Sequence, residues 1–69
     1  MMYVIDSENI RNSSNVKERT KNVFDVLDEK GNVIDTIRLT FKEAHDEYGR
    51  YFVVEQEKYN LIQKYIYKK

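Results

Sequence analysis

The chain has no cysteine, no proline and no tryptophan, and it has only two glycines and one histidine. Without cysteine there can be no disulfide and no thiolate metal site. The absence also fits a reducing compartment. Two glycines are too few for the phosphate-cradling loops of nucleotide enzymes. The single histidine, His45, adjoins Asp46 and Glu47, but residues one or two apart on a helix do not face each other. The expectation there is a solvated side chain. Ser7, Ser13 and Ser14 have no local histidine to activate them. No catalytic residue, metal ligand or cofactor is therefore assigned, and the reading is of a protein that is not an enzyme.

Long apolar runs are also missing. "MMYVIDSENI" has no basic segment followed by an extended apolar stretch, as a signal peptide would. Nothing approaches the roughly 20 apolar residues of a membrane helix. The expected location is the cytoplasm, with no membrane partner. A chain of 69 residues makes one domain with a marginal core, and chains of this size often lean on a partner subunit.

Lys, Asn, Tyr and Ile are abundant while Gly, Ala and Pro are scarce. That bias follows AT-rich codons and suggests a low-GC bacterium, its phages or its mobile elements. The net charge is zero, but the signs are segregated: residues 23–57 carry −5, and residues 58–69 carry +4 with no acid. An acidic middle and a basic end can attract each other or meet different partners.

"MYVID" alternates and predicts a strand over Met2–Asp6. Residues 8–21 read as a polar loop, with a short helix possible where Asn15-Val16-Lys17-Glu18 resembles a capping box. "NVFDVLD" and "NVIDTIRL" flank Asp28-Glu29-Lys30-Gly31, and Asp first with Gly fourth is a type I turn signature. Residues 22–28 and 32–39 are thus expected to form a hairpin. Thr40 and Glu43 form a capping box ahead of Phe41, Ala44 and Tyr48, which predicts a short helix ending at Gly49. "RYFVVEQ" predicts a fourth strand, and residues 58–69 a basic C-terminal helix or tail with Leu61, Ile62, Tyr65 and Ile66 inward. The fold class is α+β, a small mostly antiparallel sheet carrying one short helix and a C-terminal helix.

Two constellations stand out. If Gly31 closes the hairpin with a bulge, Leu27 meets Val33 and Asp25 meets Asp35. Val26 and Phe24 then share the other face with Ile34 and Thr36. Both faces would be apolar, and two carboxylates would oppose each other. Such a hairpin asks for cover, which suggests a homodimer or another protein as partner. Asp25, Asp35, Tyr51, Tyr65 and Tyr67 are the candidate partner-binding residues. The second constellation is Lys58, Lys64, Lys68 and Lys69 interleaved with Tyr65 and Tyr67, a pattern that suits phosphate contact and base stacking.

The hairpin and the following "LTFKEAHDEYG" loosely resemble the small DNA-binding segments attached to homing endonucleases. Asp28, Gly31, Thr40, Glu43 and Ala44 carry the likeness. The resemblance implies a recognition helix after Gly49, where this chain continues into "RYFVV". The function expected from these readings is a small non-catalytic interaction protein, encoded by a phage or mobile element, that masks a host protein of DNA metabolism or defence. The alternative is a small nucleic-acid-binding regulator that uses the basic C-terminal end.

Overall fold

A computed structural model describes residues 1–67. It is an α+β fold with two antiparallel sheets, one of two strands and one of three. Strand β1 (Met2–Asp6) runs directly into the short helix α1 (Ser7–Arg11). Strands β2 (Val16–Thr20), β3 (Val23–Leu27) and β4 (Val33–Arg38) form a meander in the order β2-β3-β4. A single 3₁₀ turn (Phe41–Glu43) precedes β5 (Tyr51–Glu55). The chain then enters α2 (Gln56–Ile62), which continues as a π-helical turn (Gln63–Tyr67). β5 pairs with β1, so the first and last strands form their own ribbon.

One core lies between the sheets. Ile5, Phe52 and Val54 come from the ribbon, Phe24, Val26 and Ile37 from the meander, and Ile10 and Ile62 from the helices. As predicted, Ile62 is buried, and Leu61, Tyr65 and Ile66 pack half-buried against the core.

The polar stretch at residues 8–21 contains regular structure. Asp6 accepts the Glu8 N–H at 3.0 Å and so caps α1. β2 is a charged edge strand, with Lys17, Glu18 and Arg19 exposed. The supposed capping box at Asn15 starts this strand, and no helix forms there.

The hairpin turn closes as expected. Gly31 N–H donates to Asp28 O at 3.0 Å, and Gly31 takes φ 86°. Leu27 lies opposite Val33, but the register then slips: Val26 faces Asp35, Asp25 faces Thr36 and Phe24 faces Ile37. Ile34 is the extra residue, a second bulge. A one-residue slip moves every later side chain to the other face of the sheet. Phe24, Val26 and Ile37 therefore share the buried face, and the two-sided apolar hairpin is not formed.

The helix expected over residues 40–49 is also not formed beyond one turn. The capping box exists, with Glu43 Oε1 accepting the Thr40 N–H at 2.9 Å. A second Asp-Glu-x-Gly turn follows it. Gly49 N–H donates to Asp46 O at 3.3 Å, and Gly49 takes φ 72°. Asp46 Oδ1 then accepts the Arg50 and Tyr51 N–H groups and starts β5. In the same way Asp28 Oδ1 accepts the Lys30 and Asn32 N–H groups before β4.

Candidate functional site

The segment cut short as a helix builds the most distinctive surface of the molecule. Ala44 bridges to Phe52, and His45 N–H donates to Tyr51 O at 2.8 Å, so residues 44–45 lie along the outer edge of β5. Phe41 and Tyr48, on either side of this contact, are left without cover. Phe41 is 95% exposed and Tyr48 86% exposed. Both line an open groove of about 680 Å³, in which Leu39, Ala44 and Phe52 also take part. Lys21, Asn22, His45, Asp46 and Glu47 add polar groups. Asn22 reaches the groove from the β2–β3 turn, in a left-handed conformation (φ 62°) that asparagine tolerates.

The groove rests on firm supports. Lys58 Nζ bonds both Glu43 carboxylate oxygens, at 2.7 and 2.9 Å, and ties α2 to the 3₁₀ turn. Burial pushes the Glu43 carboxyl up, but the Lys58 and Thr40 bonds outweigh it and leave the group below its ordinary value. Asp46 is also lowered, first by the Tyr51 N–H and then by the Arg50 N–H. Arg11 braces the Asn22 turn. It donates to Asn22 Oδ1 at 2.9 Å, to both Glu18 oxygens and to Ser7 Oγ, with its guanidinium carbon 5.5 Å from the centre of the Phe24 ring.

The residues singled out in the sequence are dispersed. Asp25 and Asp35 do not meet. Asp25 is almost buried, bonded to Arg19 at 2.6 Å and to the Thr36 hydroxyl at 3.2 Å. Arg19, then Thr36, holds its carboxyl below the usual range against the opposing effect of burial. Asp35 accepts the Thr36 N–H on the half-buried side of β4. Tyr51 lies on the outer face of the ribbon under the Arg50 guanidinium. Tyr65 and Tyr67 are half-buried against the core, and Tyr67 meets Tyr59 edge to face at 6.5 Å.

Of the basic end, Lys58 is committed to Glu43, and Lys64 sits over the Tyr65 ring at 5.1 Å. Lys68 and Lys69 lie outside the described residues. The recognition helix implied by the likeness to homing-endonuclease segments is replaced by β5.

Helical spacing places Phe41 and Tyr48 on one apolar stripe, and the structure exposes both. The signal that identifies Tyr48 is the repeated Asp-Glu-x-Gly pattern. It puts Tyr48 at the same turn position as Lys30, where side chains point to solvent. Among the described residues no set of three or more His, Asp or Glu side chains is gathered for a metal, and no helix is long and apolar enough to cross a membrane. The chain shows no match to any protein-family model, curated protein or solved structure.

Proposed function

We propose that this chain is a small non-catalytic binding protein that captures another protein in the groove of residues 39–49. Phe41 and Tyr48 serve as its anchors. The observation that carries this reading is their exposure beside an apolar floor. Aromatic side chains dominate interface energetics when a partner excludes water from them. Two such rings left in water on a chain this small are a liability unless a partner covers them. The partner that fits presents an apolar side chain toward Leu39, Ala44 and Phe52, ringed by groups of mixed charge to meet Lys21 and Glu47. The narrower reading is a phage- or mobile-element inhibitor that masks a host protein of DNA metabolism or defence. It rests on the codon bias of the composition.

The test is affinity capture from the source cell, with and without nuclease, using the parent chain and a Phe41→Ala, Tyr48→Ala double variant. A protein captured by the parent in both conditions and lost by the variant is the expected result. Capture that survives the double variant ends the groove reading. Capture abolished by nuclease favours the nucleic-acid regulator, whose support at the C-terminal end is reduced because Lys58 is already paired.

A further inference from the structure

The two sheets have four outer edges, and three of them are protected. Residues 44–45 lie along β5. β2 carries exposed Lys17, Glu18 and Arg19. β4 is bulged at Ile34. Charges, bulges and covering segments are the usual means of blunting an edge against pairing. β1, "MYVID", is the least protected: it has no lysine, no proline and no bulge, its one charge, Asp6, is paired with Arg50, and no strand neighbours its outer side among the described residues.

The phase of the ribbon fixes which groups β1 offers. Ser7 N–H donates to Arg50 O at 2.8 Å, so Ser7, Ile5 and Tyr3 direct their backbone groups at β5. Met2, Val4 and Asp6 direct theirs outward. The same residues carry the exposed face. Val4 is 61% and Met2 55% exposed; Val53 lies opposite Val4 and Tyr51 follows on the same face of β5, so the four form an apolar strip whose ends meet Glu55, opposite Met2, and Asp6, opposite Tyr51. Unpaired backbone and uncovered apolar side chains thus coincide on one strand.

We propose that a second copy of this chain pairs with β1, antiparallel about Val4, to give a continuous four-stranded sheet in the order β5-β1-β1-β5. The strand is self-complementary in this arrangement. Val4 of one copy meets Val4 of the other with both N–H and C=O groups available, and Met2 meets Asp6. No like charges face each other across the new ladder, because Asp6 is already neutralised by Arg50 at 2.9 Å and Glu55 lies on the far strand. The contact is isologous and closed, as in most homodimers. It extends a two-stranded ribbon, a marginal unit alone, into a sheet of ordinary width. It leaves the Phe41 and Tyr48 groove untouched, so its failure and that of the groove reading are separable.

Sedimentation equilibrium of the full chain at micromolar concentration is expected to give twice the 8.4 kDa chain mass. A single species of 8.4 kDa overturns the proposal. Val4→Lys places two ammonium groups together at the two-fold axis and is expected to weaken the dimer about 10-fold or more. Ile34→Lys on β4 is expected to leave it unchanged. A Val4→Lys chain as dimeric as the parent excludes the β1 edge. Should that variant not fold, amide exchange on the parent decides. The Val4 N–H, which points outward, is expected to be protected in the dimer and to lose protection on dilution, while the Ile5 N–H stays protected. An unprotected Val4 amide in the dimer sinks the proposal.

Discussion

The rings of Tyr3 and Tyr59 lie parallel, 3.9 Å between centroids and 4° between planes. The contact fastens α2 to the inner face of β1, and the Tyr3 hydroxyl adds a bond to Gln56 Oε1 at 2.9 Å. Stacked aromatic pairs contribute about 0.5–1.5 kcal/mol beyond area burial. A double-mutant cycle of Tyr3→Ala and Tyr59→Ala, read by urea unfolding, is expected to return a coupling in that range. Additive single effects would mean that the stack is not present in solution.

Arg11 gathers four elements of the fold, with Ser7, Glu18, Asn22 and the Phe24 ring all in contact with it. Hydrogen bonds to charged groups each contribute about 1.5–3 kcal/mol, and Ser7 is fully buried with Arg11 on its hydroxyl. Arg11→Ala is expected to destabilise the chain by about 2–3 kcal/mol. The exposed Lys17→Ala is expected to stay within about 0.5 kcal/mol. Equal unfolding midpoints for the two variants would contradict the role given to Arg11.

Asp6, Glu18, Asp25, Asp28, Glu43 and Asp46 all sit below their ordinary carboxyl values, through hydrogen bonds to arginine, lysine or backbone N–H groups. On acidification the unfolded chain binds protons before the folded one does. Their stabilisation is therefore complete above the ordinary values of 3.8 and 4.5 and is lost as the pH falls through the lowered ones. Urea midpoints measured from neutral pH downward should stay flat and then drop across that window. Asp28→Asn should shrink the drop. A midpoint that rises on acidification would contradict the assigned directions.

On the proposed reading Phe41 and Tyr48 serve binding, and their exposure means that they contribute little to folding. Phe41→Ala and Tyr48→Ala are each expected to change stability by no more than about 0.5 kcal/mol, as exposed substitutions do. Thermal unfolding checks this. A large loss would place the rings in the core.

Gly31 and Gly49 hold the left-handed conformation in the two Asp-Glu-x-Gly turns, and a Cβ built on either meets nothing within 4 Å. Substitution strains only the backbone. Gly31→Ala and Gly49→Ala should each cost about 1–2 kcal/mol, and asparagine at the same positions less. Urea midpoints for the four variants give the comparison.

The sequence was most legible where a short-range signal coincided with the native geometry. "DEKG" specified its turn, "MYVID" and "YFVVE" their strands, and Leu61 to Ile66 the inward side of the C-terminal helix. Register was not legible. The Ile34 bulge is a choice made by the core, which takes Phe24, Val26 and Ile37 on one face and gives Asp25 to Arg19 and Thr36. β2 was hidden because an edge strand defended by charge has no apolar alternation to display. The stripe at Phe41, Ala44 and Tyr48 misled for a different reason. Its capping box is real, but helix nucleation is costly, and a second turn signal begins at Asp46 before another turn of helix can form. The groove follows from that competition, and helical periodicity assigned its two aromatics to the interior.

The pairing of Met2 with Glu55 has a consequence for how the molecule is made. The meander from Val16 to Arg38 joins neighbours along the chain, and closing short loops is entropically cheap. The ribbon joins residues 2–6 to residues 51–55 and cannot exist until the latter have been synthesised. On the ribosome the meander has its partners early, whereas β1 must wait. Contacts of long sequence separation form late. The last event of folding is thus expected to be a latch that brings the first strand home, and the first event of unfolding its release.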